Sequence, residues 1–124
     1  MSDQIAKLPE KLDANKTDKD VYSHTFKTPF MFEGETFERL IFDWQSLTAA
    51  DALAIENELA AQGIAVVTPE FSGEYLLRMA ARACTTRRAD GKRFLGIDAY
   101  RTMPMRDYVA IRNRARSFLL RAES

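Results

Sequence analysis

A chain of 124 residues, 46% of them apolar, suits one domain with a real but modest core. With Cys84 the only cysteine and His24 the only histidine, no intramolecular disulfide is expected and no grouping has zinc-site spacing. No run approaches the ~20 apolar residues of a membrane span, and the N-terminus lacks the apolar core of a signal peptide, so a soluble protein of a reducing cytoplasm is expected.

The net charge of zero hides a segregation along the chain. Residues 1–20 carry −1, residues 21–74 carry −7 and residues 75–124 carry +8. Halves of opposite sign attract within the fold, and what they leave unneutralised is available to a partner or a second copy. The plain alternative is that the two halves pair at a solvated surface, where each pair is worth little.

Residues 1–20 alternate Lys, Asp, Glu and Asn, with Ile5, Leu8 and Leu12 too few to offset the entropy of ordering. A flexible polar tail is expected there. The three apolar residues have helical spacing, which suits a helix formed on a partner, although Pro9 lies among them. From Val21 the pattern becomes that of a strand: Tyr22, His24 and Phe26 alternate with Ser23, Thr25 and Lys27, and after a Glu-Gly turn a second strand spans residues 36–43. This predicts a β-hairpin. Pro29 cannot donate to a ladder, so its strand lies at an edge or is bulged there. On the second strand Phe37 and Ile41 fall on one face, with Leu40, Phe42 and Trp44 at neighbouring positions. A lone hairpin is marginal in water and must rest on helices or pair with another copy.

Residues 47–63 hold the clearest helix. Thr48 and Asp51 form the Asp variant of a capping box, Ala52, Ile55 and Leu59 repeat on one face, and Gly63 supplies the left-handed stop. Residues 64–67 are an extended link closed by Pro69. Ser72 then caps a second helix, with Phe71 and Leu76 placed as a hydrophobic staple and a stripe of Leu76, Met79, Ala80, Ala83 and Cys84 running to about residue 86. Cys84 reads as a small core residue, since neither a paired base nor a second cysteine is indicated. Residues 87–94, RRADGKRF, form a basic loop around an Asp-Gly turn; it is expected to be solvated, and the phosphate-binding alternative lacks P-loop spacing. A helical turn opens at Asp98, and Met103-Pro104 leads a last helix in which Tyr108, Ile111, Ala115, Phe118 and Leu119 keep period to about Arg121. Arginines 106, 112, 114, 116 and 121 flank that stripe.

The fold class expected is α+β: an N-terminal β-hairpin followed by three main helices, with a polar tail over residues 1–20 and one domain over residues 21–124. No residue pattern carries catalysis, a cofactor or a metal. His24 has no carboxylate or nucleophile within suggestive spacing and reads as a strand residue rather than a base. Glu33 and Glu35, beside the turn glycine, look solvated and too sparse for calcium. Trp44 is an anchor of the core or hairpin edge, with a partner hot spot as the sharper alternative. The arginine-rich last helix could sit in a DNA groove, but the −7 of residues 21–74 and a near-neutral pI argue against nucleic acid. Partner contact is expected instead along the last helix, at Arg112 and Arg116, one turn apart, with Phe118 and Leu119 beside them. Weak self-association is expected through the hairpin edge or an apolar stripe.

This order of elements resembles the phage tail assembly chaperone family of Mu-like and P2-like contractile-tailed phages and prophages, over roughly residues 24–120. The matching residues are 27–32 with Gly34 in the hairpin, Leu47, Thr48 and Asp51 at the capped helix, and Met103, Pro104 and Asp107 opening the last helix, where the family more often has Leu before the Pro. The long polar N-terminus and the basic loop at 87–93 depart from its short members. The resemblance implies a non-enzymatic protein of the host cytoplasm, not expected in the mature virion, that binds the tape measure protein, keeps it soluble and helps recruit tail tube protein. It implies no cofactor. In this family a longer form is often made by ribosomal frameshifting. The competing classes are a small DNA-associated phage protein and a structural virion component.

Overall fold

The structure is a computed structural model that describes residues 20–122. The tail expected over residues 1–20 therefore lies, except for Asp20, outside the described residues. The architecture is α+β, with an antiparallel hairpin of β1 (Val21–Phe32) and β2 (Glu35–Asp43) followed by helices. A two-residue turn joins the strands. Glu33 and Gly34 both take positive φ, 51° and 82°, and a primed turn of this kind matches the strand twist, with glycine at its second position. The ladder breaks between Thr25 and Phe30, around Pro29, as the missing amide predicts. The break also re-phases the alternation, so Phe37 is buried with Leu40 and Phe42 instead of sharing a face with Ile41.

After a 3-10 turn at Trp44–Ser46, α1 (Ala49–Ala61) starts where the sequence places it. Asp51 Oδ2 accepts from the Thr48 amide at 2.8 Å and from its hydroxyl at 3.1 Å, while Oδ1 accepts from Arg82 at 2.8 Å. The amide bond is the main cause holding the Asp51 carboxyl below its usual range. At the other end Gly63, at φ 76°, allows its amide to reach Ala60 and that of Ile64 to reach Leu59, the paired bonds of a left-handed helix stop. Thr48→Ala is expected to cost about 1 kcal/mol of stability. An unchanged melting midpoint would show that the helix starts without this residue.

A second 3-10 turn, Pro69–Phe71, leads to α2 (Gly73–Ala83), where Ser72 Oγ accepts from the Tyr75 amide at 3.1 Å. The expected staple does not form. The 3-10 turn leaves Phe71 70% exposed, whereas Leu76 is fully buried in the core. The helix also stops three residues earlier than expected, because the chain beyond Ala83 turns extended and pairs with β2. Cys84 bridges Phe42, the Thr85 amide donates to the Ile41 carbonyl at 2.8 Å, and Thr86 Oγ1 accepts from the Ile41 amide at 3.0 Å. Part of the outer edge of β2 is thereby covered, so the hairpin is less bare than a free two-stranded ribbon. Cys84 is buried as expected, and burial pushes its thiol up.

The short α3 (Ile97–Arg101) and the long α4 (Met105–Ala122) complete the chain. The Pro104 carbonyl accepts from the amides of Asp107 and Tyr108, so proline stands immediately before the helix it leads. α4 packs across α2 at Gly73, where a Cβ would collide with the Tyr108 hydroxyl. Between hairpin and helices lies one core, centred on Leu40, Phe42, Trp44, Leu76, Tyr100 and Ile111.

Candidate partner-binding surface

The segregated charge is largely spent inside the fold. Arg78 pairs with Glu58 and Glu74, Arg82 with Asp51, and Arg101 with Glu74. The basic loop, expected to be solvated, is partly buried: Arg88 reaches Glu35 at 3.1 Å and Glu33 at 3.0 Å across the hairpin turn, and its hydrogen bond is the main cause holding the Glu35 carboxyl below its usual range. Glu33 and Glu35 are therefore half of an ion-pair cluster, not idle surface carboxylates. Asp90 caps the same loop by accepting from the Arg93 amide and guanidinium and from the Lys92 amide, and these bonds, the Arg93 amide first, hold its carboxyl well below the usual range. Arg88 and Arg93 are thereby paired, while Arg87 donates to the Gly91 carbonyl and lies over the Phe94 ring instead of meeting a carboxylate.

The cations of α4 flank its apolar stripe on both sides: Arg114 lies over the Tyr22 ring and Arg121 near Asp20, while Arg112 and Arg116 share the opposite edge. Its apolar stripe buries Ile111 and Ala115 and leaves Tyr108, Phe118 and Leu119 half-covered. Arg112 lies over the Tyr108 ring at 5.4 Å and bonds Asn113 Oδ1 on its own helix. Arg116 donates from Nε to the Glu70 carbonyl at 2.7 Å and lies over the exposed Phe71 ring at 5.5 Å. Among the described residues neither arginine pairs with a carboxylate, so pairing between the two charged halves does not extend to this edge. Arg116 nonetheless has a structural task, capping the 3-10 turn before α2.

Beside this edge runs an apolar groove of about 220 Å³ between the starts of α1 and α2 and the end of α4, lined by residues that include Leu47, Ala52, Ile55, Met79, Phe118 and Leu119. Phe118 turns inward and stacks on Trp44, ring centroids 6.3 Å apart, itself stacked on Phe42 at 5.4 Å. Trp44 is 0% exposed. A partner cannot reach it, so Trp44 leaves the candidate set and acts as the floor on which Phe118 rests. The structure thus sets Arg112, Arg116 and Leu119 along one edge of α4, with Arg112 at mid-helix and Leu119, beside Phe118, in the last turns that line the groove. Compared with protein-family models, curated proteins and solved structures, the chain matches none.

Two further constellations escape the sequence. His24 Nε2 bonds Asp107 Oδ1 at 2.7 Å and its Nδ1 bonds the Tyr22 hydroxyl at 2.7 Å, tying β1 to the first turn of α4. Asp107 at that position also faces the positive end of the helix dipole. With both ring nitrogens occupied and the residue 5% exposed, His24 presents neither nitrogen to a substrate. The aligned Tyr–His–Asp set is a joint. The second centres on Arg78, whose guanidinium joins Glu58 of α1 to Glu74 of α2. A wider depression of about 650 Å³ near Glu74, Arg101 and Met105 offers no unpaired charge, because its Glu74 and Arg101 bind each other at 3.0 Å. Among the described residues no group of three or more His, Cys, Asp or Glu could hold a metal ion, and no helix is long and apolar enough to cross a membrane.

Proposed function

We propose that this protein is a non-enzymatic phage tail assembly chaperone that binds the tape measure protein in the host cytoplasm and assists tail tube assembly. The observation that carries the proposal is the apolar groove at the end of α4 bounded by the edge of Arg112 and Arg116, a surface whose charge is not neutralised by neighbouring carboxylates. A long amphipathic helix lays its apolar face into such a groove and sets acidic residues against the flanking cations. Repeated along a helical partner, weak contacts of this kind become effective through multivalency. Of the positions that carry the family resemblance, Leu47, Thr48 and Asp51 line this groove and Met103, Pro104 and Asp107 open the helix that forms its other wall, while those of the hairpin lie away from it. Weak self-association through the remaining hairpin edge belongs to the same proposal.

Co-expression with neighbouring open reading frames, followed by pull-down, tests the reading. Recovery of a long helical protein is the expected result; retention on DNA, or presence in purified virions, would favour the competing classes. Arg112→Glu should leave the melting midpoint nearly unchanged, since its exposed contacts are worth below about 1 kcal/mol, while lowering partner recovery. Adding Arg116→Glu should lower recovery further and cost roughly another 1 kcal/mol by removing the bond to the Glu70 carbonyl. Undiminished recovery in the folded double variant would rule this edge out as a binding surface.

A further inference from the structure

The α1–α4 groove has a candidate occupant in the chain itself. At 220 Å³ it is smaller than a typical small-molecule pocket and suits a few apolar side chains. The described chain begins at its rim. Asp20 Oδ2 accepts from Gln45 Nε2 at 2.8 Å and Asp20 Oδ1 lies 3.8 Å from Arg121, which places residue 20 between the 3-10 turn that leads to Leu47 and the helix end at Ala122. Leu47 and Ala122 both line the groove.

The sequence upstream of Asp20 supplies the matching chemistry. Apart from Met1, its large apolar residues are Ile5, Leu8 and Leu12, within eight positions of one another. A chain the length of residues 13–19 spans at most about 23 Å, long enough to return from Asp20 into the groove, and so short that the effective local concentration is of millimolar order. Residues 5–12 carry Lys7 and Lys11 against Glu10, and α1 carries no cation; its Asp51 and Glu58 are paired with Arg82 and Arg78, which leaves Glu56 as the α1 carboxylate without an ion pair among the described residues.

We propose that residues 5–12 dock in this groove in cis, with Ile5, Leu8 and Leu12 as anchors, and cover Leu119 and Phe118 until a partner displaces them. The docking stands without the chaperone reading; the role as a built-in competitor for a helical partner rests on it. Such a segment would keep the apolar end of α4 from self-association while leaving the Arg112 edge open to the first encounter.

Hydrogen exchange of the full-length chain, followed by mass spectrometry, reads the docking. Amides of residues 5–12 should exchange at least tenfold more slowly than the same amides in Leu8→Asp, and the methyl resonances of Leu47 and Leu119 should shift between the two. Leu8→Asp lies outside the described fold, so it separates undocking from unfolding; Leu119→Glu should release the segment from the groove side. Exchange of residues 5–12 at the free-peptide rate, or methyl resonances unmoved by Leu8→Asp, would overturn the proposal. Protection that grows with protein concentration would also overturn it, in favour of a second copy's segment. A protected segment in a chain that recovers no helical partner upholds the docking and defeats the chaperone reading, whereas an unprotected segment with Arg112-dependent recovery does the reverse.

Discussion

Replacing His24 by Leu, which keeps most of the side-chain volume, is expected to destabilise the fold by about 3–5 kcal/mol, because it leaves a buried carboxylate without its partner. Asp107 is 5% exposed and its Oδ1 is held by His24 at 2.7 Å. Asp107→Leu should cost less, on the order of 1–3 kcal/mol, since the imidazole it abandons keeps the Tyr22 hydroxyl as a partner. The double variant should then be less damaged than the sum of the two, by a coupling of roughly 1–3 kcal/mol, and Tyr22→Phe should cost only about 1 kcal/mol. Urea unfolding of the four variants measures the set. A His24→Leu protein within 1 kcal/mol of the parent would show that the pair does not hold α4 to the hairpin. The point bears on function, because the helix tied down at Asp107 is the one that carries Arg112, Arg116 and Leu119.

The contrast between this pair and the elements around it shows what a sequence can display. The Thr48–Asp51 box, the stop at Gly63, the Ser72 cap, the bulge at Pro29 and the start at Pro104 depend on residues a few positions apart, and each stands where the pattern puts it. His24 and Asp107 are separated by 83 residues, so spacing carries no trace of their bond. Alternation did put Tyr22 and His24 on one face of a strand, and a carboxylate buried in the first turn of a helix needs a partner; together these were the available signal. Phe71 shows the opposite failure. Its place before a capped helix suggests a staple, but the 3-10 turn ahead of the helix overrides that local preference. At the candidate surface, periodicity picks out Phe118 and Leu119 together, and only the position of Trp44 decides that Phe118 stacks inward while Leu119 stays at the rim.

Arg78 is the other residue whose loss should be felt well beyond its own helix. A charged residue inside an amphipathic pattern reads as solvent-facing, yet Arg78 is 3% exposed. Its Nε donates to Glu58 Oε2 at 3.0 Å, its Nη2 to Gln62 Oε1 at 3.2 Å, and its Nη1 to both the carboxylate and the carbonyl of Glu74. The planar fork thus binds the last turn of α1 to the first turn of α2, a span that a lysine's single ammonium cannot cover. Arg78→Met keeps most of the buried stem and removes the fork. Since Glu58 and Glu74 are each more than a third exposed, they can turn to water, and the cost should be about 2 kcal/mol, below the range for a fully buried pair. Arg78→Ala, which also empties the space of the stem, should cost about 3 kcal/mol or more. The pH dependence identifies the ionic share. The bond from Arg78 is the main cause holding the Glu74 carboxyl below its usual range. A carboxylate depressed by folding contributes stability that is fully present above its unfolded value near 4.3 and is lost as pH falls through the lower folded value. The gap between parent and Arg78→Met, measured by urea unfolding, should therefore be widest at pH 6–7 and narrow as pH is lowered past about 4. A gap that stays constant over that range would mean that Arg78 acts through packing alone, and that the joint between α1 and α2 is apolar.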